Sequence, residues 1–287
     1  MGGPIAGHLA ARGHTVTAYN RTAAKAEAWL AARAGAGHAI AATPRRVAEA
    51  SEVVMLCVGN DDDVRAVVLG DDGVLAGMRP GGVVVDHTTA SATVARELAA
   101  ACAARCVGFV DAPVSGGQAG AEKGQLTVMC GCDDEAIYAR AEAVITAYAK
   151  ACTCMGGAGA GQLTKMVNQI CIAGIAQGLS EALAFAVRAG LDADRVVDVI
   201  SKGAAQSWQM DNRARTMVRG QFDFGFAVEW MRKDLCICFD EAARNGADLA
   251  VTRLIDGLYA RVVERGGRRW DTSSLISLLQ DPPPPAS

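Results

Sequence analysis

The chain has 287 residues, 51% of them hydrophobic, and a formal net charge of −3. That length supports a large core and more than one domain, and the charge balance lacks the basic footprint of a nucleic-acid binder. No uninterrupted apolar stretch reaches membrane-span length and no signal peptide opens the chain, so a cytoplasmic protein with neither membrane nor nucleic-acid partners is expected.

In chain order, MGGPIAGHLAARGHTVTAYNRT reads as the close of a phosphate-binding turn, a helix beginning near Pro4, and a strand over Thr15–Tyr19. A dinucleotide fold runs strand, G-x-G-x-x-G, helix. Gly2 stands where the third glycine belongs, while the strand and the first two glycines are absent. After Tyr19 come Asn20, Arg21 and Thr22, in place of the acidic residue that accepts from the ribose 2′-hydroxyl of NAD. An arginine here pairs with the 2′-phosphate of NADP, which makes NADP the expected cofactor and NAD the second choice. A surface turn with Thr22 capping the next helix explains the same residues.

Further strands are expected over Val53–Val58, Val83–His87, Gly108–Asp111, Leu126–Cys130 and Ala151–Met155. They alternate with helices over Ala23–Ala34, Pro44–Ala50, Ala92–Ala104 and Asp134–Ala147, a pattern that argues for a doubly wound parallel sheet covered on both faces. Between two of these strands lies DAPVSGGQAGAEKGQL, Asp111–Leu126. There Ser115, Gly116 and Gly117 offer a hydroxyl and open backbone N–H groups, a turn suited to a carboxylate or oxyanion; a loop that needs glycine for its geometry reads the same way.

After MGGAGAG, Met155–Gly161, strand signals nearly vanish. One helix is expected over Gly161–Ala189, then helices over Asp194–Lys202, Val228–Asn245 and Ala250–Glu264, and a short one near Ser273–Leu279. The long run is interrupted by Lys165, Asn168, Gln169, Gln177, Glu181 and Arg188, which marks a buried helix of a soluble protein. The expected domains are an α/β unit over residues 1–157 and an all-α unit over 158–280, with a ligand cleft between them and a disordered tail at 281–287.

Within GAGQLTKMVNQ, Lys165 shares a helix face with Asn168 and Gln169. A lysine in such apolar surroundings titrates readily and can exchange a proton with a substrate hydroxyl; the competing reading is a side chain that snorkels to water. In WMRKDLCICFDEA, Lys233 and Asp234 break an apolar helical pattern. No histidine follows His87, so lysine is the best proton-transfer group for a hydride-moving enzyme. The ten cysteines include three CxC pairs, Cys130/Cys132, Cys152/Cys154 and Cys236/Cys238, which sit in apolar runs far from any histidine. They are read as reduced core residues, with no metal site.

Together, DAPVSGG..GA..G.L, GAGQ..K..NQ and KDL, in that order, resemble the β-hydroxyacid dehydrogenase family over nearly the whole chain. That family includes 3-hydroxyisobutyrate dehydrogenases, tartronate semialdehyde reductases and, more distantly, 6-phosphogluconate dehydrogenases. The family fingerprint GLGxMGxPMAxxL is matched in its second half by MGGPIAGHL. The resemblance implies an α/β Rossmann-like domain followed by an all-α domain joined through the long helix. It implies Lys165 as general acid/base, with Ser115, Gly116 and Gly117 on the substrate carboxylate. Asn168, Gln169 and Lys233 fall on the substrate side, and Lys233 also faces the nicotinamide. Gly2, Asn20, Arg21, Thr22, Val58, Gly59 and Thr88 fall on the cofactor. Asn168–Gln169 is similar to the tartronate semialdehyde reductase pattern, and imine reductases of the same fold usually lack the lysine. The implied activity is oxidation of a small β-hydroxyacid, or reduction of its semialdehyde or keto acid, by a homodimer or homotetramer. The alternative is a catalytically silent cofactor-binding or oligomeric module of the same fold.

Overall fold

The parallel strands β3 (Val53–Leu56), β4 (Val83–Asp86) and β5 (Gly108–Asp111) form the sheet around which the first part of the chain folds. In this computed structural model, residues 1–33 and 37–280 are described. Alternate side chains of the three strands feed two separate cores. Val54, Leu56, Val84 and Phe109 face one side, and Val83, Val85 and Val110 face the other. A parallel sheet needs both faces covered, which is why these strands read as continuous apolar runs.

The elements before β3 are α1 (Gly2–Ala11), β1 (Thr17–Ala18), α2 (Ala23–Ala31), β2 (Ala39–Ile40) and α3 (Pro44–Glu49). β1 and β2 pair in parallel as a two-stranded sheet of their own. Between β3 and β5 come α4 (Asp61–Leu69), α5 (Val74–Gly77) and α6 (Ala92–Ala103), which pack Val64, Val68, Leu75 and Leu98 onto the first face. Then follow β6 (Val114–Ser115), α7 (Gly117–Glu122), β7 (Leu126–Cys130), α8 (Glu135–Ile145) and β8 (Ala149–Cys154). β6 is antiparallel and β8 parallel to β7. Ile5 and Leu9 of α1 join Leu126, Val128, Ile145 and Tyr148 on the second face. A further antiparallel bridge joins Asp111 to Gly131.

The chain divides into two compact units, Met1–Lys165 and the part from Met166 on. The second is helical: the greater part of α9 (Ala160–Arg188), α10 (Ala193–Ile200), α11 (Trp208–Val218), α12 (Val228–Asn245) and α13 (Ala250–Glu264), closed by 3-10 turns at Gly267–Arg269 and Thr272–Leu278. Its core has two parts. Ala173, Ala176, Met231, Leu235, Tyr259 and Leu275 form one; Leu179, Leu183, Met210, Met217 and Ile276 form the other.

The structure adds elements to those expected. α4, α5, α7, α11, β2 and β6 were not expected, and the segment near Ser273–Leu279 is a 3-10 rather than an α-helix. β1 is shorter than Thr15–Tyr19, and β8 starts two residues before Ala151. The expected end of α2 at Ala34 and the tail 281–287 lie outside the described residues. All ten cysteines are free, but Cys106, Cys154, Cys171 and Cys236 are exposed, so packing in the core explains only some of them. Among the described residues, no group of three or more His, Cys, Asp or Glu can hold a metal ion. α9 is less buried than its apolar sequence implies: by length and composition it is long enough to cross a membrane, and Val167, Ile175, Phe185 and Val187 are exposed along it.

Candidate active site

The expected site residues of the first unit stand where parallel strands end. Asn20–Thr22 follow β1, Val58 and Gly59 follow β3, Thr88 follows β4, and Ser115–Gly117 lie past β5. Ligands of open α/β sheets bind at the carboxyl ends of the strands.

The loop past β5 is shaped by two glycines with left-handed backbone, Gly116 at φ 124° and Gly117 at φ 60°. Any β-carbon is strained there. β6 fixes the loop's entry, with Ser115 in register opposite Thr127. Lys165 reaches the same place from α9. It is 8% exposed, and its Nζ donates to the Val114 main-chain oxygen at 2.9 Å. The side chain therefore ends on the backbone one residue before Ser115 and does not snorkel to water.

The start of α9 is held onto the end of β5 through its own main-chain N–H groups. Asp111 and Gly131 exchange both backbone hydrogen bonds, at 3.1 and 2.7 Å. The Asp111 carboxylate accepts from the N–H groups of Gly159 (2.7 Å) and Gln162 (2.9 Å). Burial pushes this carboxyl up to about 6, against the opposing pull of those backbone donors. The approach is close: a β-carbon on Gly161 would overlap the Met129 carbonyl oxygen, and one on Gly131 would overlap the Asp111 carboxylate.

Among the residues expected at the cofactor, Thr88 is buried and hydrogen-bonded. Its hydroxyl accepts from the Val58 N–H at 3.0 Å, and its own N–H donates to Asp86 at 2.9 Å. Burial pushes the Asp86 carboxyl up to about 7. Asn20 accepts the Thr22 N–H at 2.9 Å and so shapes the turn, whereas the Thr22 side chain makes no cap hydrogen bond. The Arg21 side chain is 85% exposed and pairs with Asp63 at 3.2 Å. Gly2 begins α1, and a β-carbon there would meet nothing within 4 Å. An exposed guanidinium after β1 and an open glycine at a helix start fit an anionic dinucleotide.

In the second unit the expected residues form a chain of hydrogen bonds. Asn168 donates to the Gln169 side-chain oxygen at 2.8 Å, and Gln169 donates to Asp234 at 2.7 Å. Lys233 lies 3.0 Å from the other oxygen of Asp234. Gln169 is 1% exposed and both ends of its amide bond protein groups, so it acts as a brace for Asn168. Sequence reasoning gave no role to Asp234, the anchor of this chain. Its signal was an acid in an otherwise apolar helical face beside a lysine.

Residues 1–157 match the family described as NAD binding domain of 6-phosphogluconate dehydrogenase, and residues 159–279 match that described as NAD-binding of NADP-dependent 3-hydroxyisobutyrate dehydrogenase. The chain is 57% identical to an uncharacterized oxidoreductase of Shewanella frigidimarina, over 98% of this chain and 95% of that one. It is 39% identical to the probable 3-hydroxyisobutyrate dehydrogenase-like 1, mitochondrial, of Arabidopsis thaliana, over 98% and 82% of the two chains. The solved Mycobacterium tuberculosis 3-hydroxyisobutyrate dehydrogenase with L-serine superposes with a TM-score of 0.86 at 29% identity, covering 98% and 96%. Fold and relatives together define an oxidoreductase that uses NAD(P). The chain belongs to the β-hydroxyacid dehydrogenase family, and its class of activity is that of an NAD(P)-dependent hydroxyacid dehydrogenase.

Proposed function

We propose that this protein is an NADP-preferring enzyme that interconverts a small β-hydroxyacid and its semialdehyde or keto acid, with Lys165 as the general acid/base. One observation carries the reading: the buried Lys165 ammonium is fixed on the Val114 carbonyl, immediately before the Ser115–Gly117 turn. In oxidation the neutral amine takes the proton of the substrate hydroxyl; in reduction the ammonium returns it to the carbonyl oxygen. Ser115 and the N–H groups of Gly116 and Gly117 hold the carboxylate, and so place the reacting carbon at a set distance from Nζ. Orientation of this kind supplies much of an enzyme's rate. The bound nicotinamide supplies and accepts the hydride. Arg21 meets the 2′-phosphate, for which it exchanges its Asp63 partner, and Gly2, Asn20, Thr22, Val58, Gly59 and Thr88 shape the remainder of the cofactor's seat. In the helical unit, Asn168, Gln169 and Lys233 are proposed as substrate-binding residues, braced by Asp234.

Residues 1–157 are proposed as the cofactor domain and 158–280 as the substrate and oligomerisation domain. Val167 and Phe185, 18 residues and so about five helical turns apart, expose an apolar stripe along one face of α9, with Ile175 about 80° round the helix from it. A homodimer or homotetramer covers that stripe.

The test is turnover by the purified chain with NADPH and NADH, against a panel of three- to five-carbon β-hydroxyacids and semialdehydes. Reduction of one or more semialdehydes with NADPH preferred supports the reading. Tight NADPH binding with no turnover of any panel member favours the catalytically silent module instead.

A further inference from the structure

Gln162 lies three residues before Lys165 in the first turn of α9 and is 1% exposed. Its side-chain oxygen accepts the Ala90 N–H at 3.0 Å, and its Nε2 donates to the Thr88 carbonyl oxygen at 2.7 Å. Its own N–H donates to Asp111 at 2.9 Å. One residue of the lysine's helix is thus bonded to the loop after β4 and to the last residue of β5. Thr88 and Ala90 are each 1% exposed, so an apolar side chain at 162 would strand a buried donor and a buried acceptor. The amide must also stand in one orientation, because flipping it would set oxygen against oxygen and N–H against N–H.

The bonds form one continuous line. The Val58 N–H rests on the Thr88 hydroxyl, the Thr88 carbonyl on Gln162, and one helical turn later Lys165 rests on Val114. We propose that Gln162 is a positioning residue, which sets the register of Lys165 against the loop Thr88–Ala90 so that the ammonium and the strand-end loop keep one spacing. The inference rests on Lys165 as the proton-transfer group. A side chain that merely filled space here would need no donor and acceptor of opposite sense.

Two variants of the full chain test this. Gln162→Glu keeps the shape and the acceptor for Ala90, but donates to Thr88 only while protonated. Its kcat is expected to stay within about threefold of the parent at low pH and to fall about tenfold to a hundredfold below it as pH rises through titration of the new carboxyl, with the circular dichroism spectrum unchanged. A kcat profile parallel to that of the parent overturns the proposal, as does a loss that only tracks unfolding. Gln162→Leu is read without turnover, by acylation with acetic anhydride and peptide mapping of the cofactor-free protein. Lys165 should label about tenfold faster than in the parent, relative to the exposed Lys25 and Lys123 of the same chain. An unchanged ratio overturns the proposal, and so does equal acceleration at all three lysines. This second readout separates the two ideas: a parent chain that turns over no hydroxyacid sinks the functional reading, while the labelling ratio still reports on Gln162.

Discussion

Lys165 and Val114 meet through a 2.9 Å hydrogen bond from a side-chain ammonium to a main-chain oxygen, across 51 residues of sequence. The contact ties the one buried lysine of the GAGQLTK segment to the backbone that leads into Ser115. If that lysine carries the proton, Lys165→Ala should lower kcat by about 10²–10⁴, the usual worth of general acid–base catalysis. NADPH affinity, read by fluorescence titration, should change less than about threefold. Loss of turnover and of NADPH binding together would mark Lys165 as structural.

The proposed role of the Ser115–Gly117 turn in holding the carboxylate is tested one position further on. Ser115→Ala should raise KM for the hydroxyacid about tenfold, the worth of a hydrogen bond to a charged group, and leave the NADPH constant alone. Gly117→Ala at φ 60° should in addition lower the thermal midpoint, because a β-carbon is strained there. Steady-state kinetics in both directions decide the first point and calorimetry the second.

The proposed preference for NADP is tested at Arg21. Arg21→Ala should lower kcat/KM with NADPH about tenfold or more while kcat/KM with NADH stays within about twofold. Asp63 competes for the same guanidinium at 3.2 Å, so Asp63→Asn should shift the ratio further toward NADPH. Equal losses with both cofactors would show that Arg21 does not meet the 2′-phosphate.

The proposed oligomer is tested on the exposed apolar face of α9. Phe185 is 72% exposed, and Phe185→Lys should move the mass measured by light scattering down to that of a single chain. A parent chain already monomeric at micromolar concentration would refute the oligomer.

His87 makes stability depend on pH. Its Nδ1–H donates to the Ala112 oxygen at 2.6 Å, and its Nε2 accepts from the Tyr148 hydroxyl at 2.7 Å. Burial lowers it from 6.5 to about 4. The unfolded chain therefore binds a proton between those values and the folded one does not, so this contribution is intact above pH 6.5 and is lost as pH falls toward 4. Asp86 and Asp111, raised to about 7 and about 6, act with the opposite sign and weaken the fold as pH rises through those values. Comparing the parent with His87→Gln isolates the histidine: the parent's advantage in urea unfolding should shrink by about 3 kcal/mol between pH 7 and pH 4. A constant difference across that range would show that His87 is not held neutral.

Much of this was legible in the sequence. Valine runs at β3, β4 and β5 announce a sheet buried on both faces, and the Ser115–Gly117 turn and Lys165 stand out because glycine pairs and a lysine are costly in apolar surroundings. α4 was missed because Asn60 and three aspartates look like a loop, although Asn60 caps the helix by accepting the Asp63 N–H at 2.9 Å and acids favour a first turn. In α11, the buried positions Met210, Ala214 and Met217 are spread through polar residues that blur the period. Gln162 stood only as a letter of the GAGQ..K..NQ motif, with no role attached. Its partners Thr88 and Ala90 lie 74 and 72 residues away in sequence, and both contacts use main-chain atoms, which carry no residue identity.

Gly131 and Gly161 let α9 press its first turn onto the ends of β5 and β7 at backbone distance. Substitution libraries aimed at new substrates should therefore recover almost no active clones at these two positions, whatever residue is offered, because alanine is already too large. Productive diversity lies instead at positions whose side chains have room to vary. An engineer who wants to move the lysine will have to move the helix, and its first turn sits where even a methyl group finds no room.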